Sequence, residues 1–188
     1  MKNMNNAEKN SYVKNQITNT LLEMIKKQPF AQIAVRDLCN EAGVGRASFY
    51  RNYETKEDVL TAYIIKQWRE YEKQNRLKEY NLDNMIRVQS YFEFCYSMRP
   101  LNDTLIPQKQ EGLILKAYEI IMPNLDQEES NESFAMSYMA FGLFGVFIKW
   151  AKSGYQQTPK EMAEIVTKRA ASRLERRAES LASPRDEA

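Results

Sequence analysis

Apolar residues along this chain recur three or four positions apart, and no stretch alternates apolar with polar residues long enough to build a sheet. The pattern predicts an all-α protein. A first helix over about Asn10 to Lys27 aligns Val13, Ile17, Leu21, Met24 and Ile25 on one face, and Pro29 ends it. A short helix over Val35 to Ala42 buries Val35, Leu38 and Cys39, and Gly43 supplies the left-handed residue that closes it. Another short helix spans about Arg46 to Arg51. Thr55, with Asp58 three residues on, reads as a capping-box-like start with Asp in place of the usual Glu or Gln. The helix it opens runs to about Lys78, with Val59, Leu60, Tyr63, Ile64, Trp68 and Tyr71 on its buried stripe.

Later helices are predicted over Leu82 to Met98, Leu101 to Ile106, Gly112 to Met122 and Ser133 to Ser153, the last closed by Gly154. Thr158-Pro159-Lys160-Glu161 places an N-cap, a first-turn proline and a glutamate in the order a helix start favours. That helix extends to about Arg176, which makes about nine in all. The most apolar run, Phe134 to Ile148, is shorter than the roughly 20 residues a helix needs to span a bilayer. A helix apolar all round is expected to be covered by protein on two sides, so no membrane contact is expected. Gly142 and Gly145 within it would allow another helix to approach closely.

Composition narrows the chemistry. The chain has 188 residues, of which 43% are hydrophobic and 11% aromatic, enough to build a core and exclude general disorder. Histidine is absent, which removes a histidine zinc site, a Ser-His-Asp triad and an imidazole proton shuttle. Cys39 and Cys95 are too few for a thiolate metal site or a disulfide framework and fit a reducing cytosol. No metal and no cofactor are expected. Carboxylates such as Glu93, Asp103 and Glu119 form no paired site by spacing, so an enzyme is not expected. Residues Met1 to Ser11 are Asn- and Lys-rich and lack the apolar core of a secretory signal, which agrees with a cytoplasmic protein. The net charge of +2 permits nucleic acid without requiring it. From Arg169 onward arginine replaces lysine as the basic residue and alanine is abundant. The segment reads either as a solvated helix end with a frayed tail, 177–188 being disordered, or as partly foreign to the natural protein. Neither reading gives it a function.

The informative stretch is Val35 to Leu60. Two short helices joined by a glycine-containing turn, after a longer first helix, form a helix-turn-helix. Gly43 permits the turn, Val44 plugs the angle between the helices, and Gly45 is expected to let the second helix start close against the first. Phe49 and Tyr53, four apart, share the core face. Arg46, Ala47, Ser48, Tyr50, Arg51 and Asn52 are left at the start or outer side, where a recognition helix enters a major groove. Arg46 could fork onto guanine, Ser48 could meet a base edge or phosphate, and Tyr50 and Asn52 could reach phosphate oxygens. Arg36 and Gly45 complete the expected DNA-facing set. Lys56 sits in the first turn of the next helix, where the helix dipole already favours an anion, so a phosphate is the expected partner there.

Residues Ser11 to Leu60 resemble the DNA-binding domain of TetR-family transcriptional regulators. That family carries an A-G-V-S-x-x-T-L-Y-R-H-F-x-S-K-E-x-L type motif, and Ala42 to Leu60 reads A-G-V-G-R-A-S-F-Y-R-N-Y-E-T-K-E-D-V-L. The resemblance puts the family's phosphate-contacting Tyr and Lys on Tyr50 and Lys56. It departs at Asn52, where His is frequent, at Gly45, where Ser or Thr is usual, and at Ser48, where Thr is common. Those departures bear on which bases are read.

Phe141 to Ile165 is similar to a C-terminal domain type of Firmicute members of the family. This resemblance implies an all-α homodimer whose last two long helices pack against the partner's pair, with residues 1–55 as head and 56–176 as body. It also implies a small effector held in the body, where Met85, Phe92, Tyr96, Met98, Tyr118, Tyr138, Phe141 and Phe144 supply Met and aromatic side chains. Of these, Met85, Phe92, Tyr96, Tyr118, Tyr138 and Phe141 are the effector candidates, suited to a flat hydrophobic ligand. The function implied is a homodimeric repressor on a double-stranded palindromic operator, released by ligand. The rival is a helical ligand- or partner-binding module without operator binding, against which stand the donors Arg46, Tyr50 and Lys56.

Overall fold

The computed structural model describes residues 5–77, 84–121 and 131–168, and within them regular structure is helical throughout. Helix α1 (Asn6–Met24) begins four residues earlier than its apolar stripe requires, because Asn5 and Glu8 form a reciprocal capping box. Its Ile17, Leu21 and Met24 are buried at the i, i+4, i+7 spacing of one helical face. A 3-10 turn, Phe30–Gln32, follows Pro29 and sinks Phe30 and Ile33 into the core, an element the periodicity alone does not announce. Helices α2 (Val35–Glu41) and α3 (Arg46–Tyr50) complete the helix-turn-helix.

Helix α4 (Lys56–Gln74) is capped by Thr55 and Asp58 as expected, and it stops short of Lys78 at a turn where Arg76 takes a left-handed φ of 54°. It packs against both α1 and α7, so one helix joins the helix-turn-helix to the helices that follow. Four more helices follow: α5 (Asn84–Ser97), α6 (Arg99–Leu105), α7 (Glu111–Ile121) and α8 (Asn131–Lys152). A ninth helix, α9, is described over 159–168. Thr158 and Glu161 cap it as expected, the carboxylate accepting from the Thr158 backbone at 2.7 Å and from its hydroxyl at 2.9 Å. The tail assigned to 177–188 lies outside the described residues.

Helix α8 corrects one expectation. Its 133–152 segment is long and apolar enough to cross a membrane by length and composition alone, so the shorter run read from the sequence understated it. Nor is it covered on two sides within the chain. Ala140, Leu143, Phe147 and Trp150 are core, while Phe134, Met136, Tyr138, Met139 and Phe141 are exposed. Trp150 anchors the buried side, donating its indole N–H to the Gln157 carbonyl at 3.1 Å and meeting Phe92 edge-on.

Candidate nucleic-acid interface

The turn between α2 and α3 is built by local hydrogen bonds. Gly43 takes a φ of 64°, its N–H donates to the Asn40 carbonyl at 3.2 Å, and the Val44 N–H donates to the Cys39 carbonyl at 2.9 Å. These two bonds close α2 with a Schellman motif, and they need a residue without Cβ strain at Gly43. Gly45 plays a different part from the one expected. Its φ of −65° is open to any residue, and a Cβ there would meet nothing within 4 Å, so close helix approach is not its reason.

Phe49 is fully buried and fixes the rotation of α3, with Tyr53 tilted against it at 5.9 Å. Burial raises the Tyr53 hydroxyl above its usual pKa, against the opposing effect of a hydrogen bond with Thr18. The rest of α3 therefore faces out. Arg46, Ala47 and Arg51 are exposed, Tyr50 is 58% exposed, and Ser48 is half-buried. These side chains form one surface, but their donors are not equally free. Arg51 donates to the Ser48 hydroxyl oxygen at 2.7 Å, and Asn52 donates its amide to the Ser48 carbonyl at 2.8 Å. Arg36 leans on Asp37 at 3.0 Å. Arg46 makes no ion pair among the described residues and stands beside Tyr50 as an uncommitted donor.

Lys56 departs most from its expected role. Its ammonium donates to the carbonyls of Phe30 at 2.7 Å, Ile33 at 2.7 Å and Ala31 at 3.2 Å, and it sits 4.6 Å from the centre of the Phe30 ring. An ammonium has three N–H donors, and all three are used here. The positive charge at the start of α4 is thus already matched by the carbonyl ends of the neighbouring turn. Nothing in the local sequence around Lys56 signals this, since the acceptors lie 23 to 26 positions away.

In the helices after α4, the six effector candidates do not share one site. Phe92 is core against Trp150, and Tyr96 stacks on the same indole at 6.0 Å. Met85 accepts a hydrogen bond from the Thr167 hydroxyl. Tyr138 is 78% exposed and Phe141 lies on the same open face of α8. Only Tyr118 lines the interior cavity, whose wall also includes Trp68, Tyr91, Cys95, Asn102 and Phe144. The cavity measures about 30 Å³, the scale of one or two water molecules rather than of a drug-sized ligand.

Its polar groups are nevertheless unusual. The hydroxyls of Tyr91 and Tyr118 are buried with only each other and the Cys95 sulfur as polar neighbours, their rings 5.3 Å apart. Burial drives both hydroxyls well above the usual tyrosine pKa, and the nearby Cys95 sulfur adds to it. Burial likewise pushes the Cys95 thiol up to about 12, so the cavity wall is uncharged at neutral pH. Tyr91 is the residue sequence reasoning missed, being one more aromatic in a helix full of them. Among the described residues no group of three or more Cys, Asp or Glu could hold a metal ion.

Two family models match the chain. One, described as bacterial regulatory proteins of the tetR family, covers residues 17–63, from the buried half of α1 into α4. The other, described as a transcriptional regulator C-terminal region, covers residues 106–171. No curated protein matches the chain.

Proposed function

Because this chain belongs to the TetR family of transcriptional regulators, we propose that it is a homodimeric, non-enzymatic repressor of a palindromic operator, released by a small ligand. The observation that carries the reading is α3 itself. It is held by buried Phe49 after a glycine-closed turn and presents Arg46, Ala47, Ser48 and Tyr50 outward together. Residues 1–55 form the DNA-reading head in this proposal and 56–176 the body. Two α3 helices in a dimer read successive major grooves about 34–36 Å apart, or a multiple of that spacing.

The dimer face is assigned to α8 and α9. Phe134, Tyr138, Phe141 and Gly145 recur at i, i+4, i+7 and i+11, a single exposed stripe, and Ile165 of α9 is 46% exposed. A Cβ at Gly142 or Gly145 would meet nothing within 4 Å in the single chain, so their open space is available to a partner helix. Covering this stripe with a second copy, not with lipid, agrees with an opposite face that is protein core and with the cytoplasmic setting that two buried free cysteines suit. The effector is assigned to the Tyr91–Tyr118 cavity. An uncharged wall with two buried tyrosine hydroxyls suits a neutral, mostly apolar molecule with one hydrogen-bonding group, for which the cavity would have to widen beyond its 30 Å³.

Lys56 is already engaged, which weakens one of the three donors that argue against the partner-binding module, so the two readings are separated by experiment. Selection of bound sequences from random duplex DNA, at two salt concentrations, is expected to enrich a palindrome. Weak binding that vanishes with salt and enriches no motif would favour the module.

A further inference from the structure

Two polar contacts tie the body to the base of the head: one reaches the turn before the helix-turn-helix, and the other, within the body, braces the opening turn of α4 from which the head projects. The backbone N–H of Phe30 donates to the Gln108 side-chain oxygen at 2.7 Å, and Lys116 donates to an Asp58 carboxylate oxygen at 2.9 Å. The partners are 78 and 58 positions apart in the chain. Phe30 is 1% exposed, and its amide would be costly to leave without an acceptor. Its carbonyl is taken by Lys56, so a single residue of the head is held by the body on one side and by α4 on the other.

Gln108 is presented by a tightly specified turn. Leu105 and Ile106 are buried, the Gln110 N–H returns to the Leu105 carbonyl at 3.1 Å, and Lys109 takes a left-handed φ of 59°. A lysine holds that conformation only where its surroundings enforce it. Asp58 divides its carboxylate, one oxygen accepting from Thr55 in the cap and the other from Lys116. The Asp58–Lys116 pair is partly exposed, at 28% and 52%, and exposed pairs contribute little to stability. Geometry is therefore the larger thing it supplies. Lys116 also lies on α7, whose Ile114, Tyr118 and Ile121 line the cavity, so the cavity wall and the brace on α4 share one helix.

We propose that Gln108 and Lys116 are positioning residues that set the angle of the helix-turn-helix head on the body and so govern operator affinity without touching DNA. The consequence for affinity rests on the DNA-binding dimer proposed above; the orientation itself does not.

The test uses the full chain carrying Gln108→Ala, Lys116→Ala, both together, and Lys116→Arg. Head-to-body distance is read by paired spin labels at Asn40→Cys and Glu119→Cys, both exposed sites, with labelled chains diluted in unlabelled protein. Cys39 and Cys95 are buried and do not compete for label. The double variant is expected to broaden and shift the distance distribution and to speed exchange of the Phe30 amide. Its melting temperature should fall because the Phe30 amide loses its acceptor, and its operator affinity, measured where the variant is fully folded, should fall about fivefold or more, with Lys116→Arg restoring most of the loss of Lys116→Ala. An unchanged distance distribution in the double variant overturns the proposal, including the case where affinity falls only in step with melting temperature. A parent protein that selects no operator would sink the functional reading, and the distances would still decide this one.

Discussion

Three carbonyls on one ammonium give Lys56 a structural part beside the phosphate contact its position in the sequence suggested. Replacing it with methionine keeps the stem and removes the donors, leaving the half-buried Ile33 carbonyl without its Lys56 partner and the Phe30 carbonyl with only the Ile33 N–H. Lys56→Met is expected to cost about 2–3 kcal/mol in urea unfolding while leaving the slope of log affinity against log salt unchanged. A slope reduced by about one would instead return Lys56 to phosphate binding. Arg46 is the contrasting case, exposed and free of ion pairs among the described residues. Arg46→Ala is expected to relax preference at one base pair by about 1–3 kcal/mol, measured across an operator series with single base-pair changes. Equal losses on every sequence would make Arg46 a backbone contact.

At the scale of the element, the start of α4 is one place where the fold holds a carboxyl ionised, as α1 does at Glu23 and α7 at Glu111. Burial alone would raise the Asp58 carboxyl, but hydrogen bonds from Lys116 and Thr55 outweigh it and hold the group below its ordinary value. Glu161 at the start of α9 is lowered by the Thr158 backbone and hydroxyl. A carboxyl depressed in the folded state stabilises fully above its unfolded pKa, and that stabilisation is lost as pH falls through the folded value. Thermal unfolding should therefore be flat near neutrality and decline below about pH 4. Asp58→Asn should begin less stable and decline less steeply over the same interval. Parallel declines for the two proteins would acquit Asp58.

For the whole molecule, the question is what covers α8. A chain that buries Phe147 and Trp150 at 1% and 2% exposure leaves Tyr138 and Phe141 open on the same helix. Substituting Tyr138 and Phe141 together with glutamate should leave the fold intact and yield monomers in sedimentation velocity. Phe147→Ala should instead cost about 3–5 kcal/mol of stability and remain dimeric at temperatures where it is folded. A double-glutamate variant that sediments as a dimer like the parent would move the proposed dimer face elsewhere, and a monomeric parent would remove the proposed dimer altogether. The cavity is a whole-molecule feature too, since its wall draws on α4, α5, α6, α7 and α8 and closes only when all five are packed.

The helix-turn-helix was legible from the chain because its determinants lie within a few residues of each other. The left-handed Gly43, the Thr55–Asp58 cap and the Thr158–Glu161 cap are each complete within four positions, and a hydrogen bond of that reach depends on little beyond the local residue types. The Phe49–Tyr53 face follows from helical pitch in the same way. The fate of Lys56, the hold of Gln108 on Phe30, and the choice of Tyr91 and Tyr118 as the cavity's buried hydroxyls belong to tertiary structure. Each depends on which segments distant in sequence arrive within 3 Å or so of a donor, or within reach of a ring, and helix packing alone sets that. The open face of α8 belongs there as well: its sequence is apolar nearly all round, and only the docking of the neighbouring helices decided which side was covered.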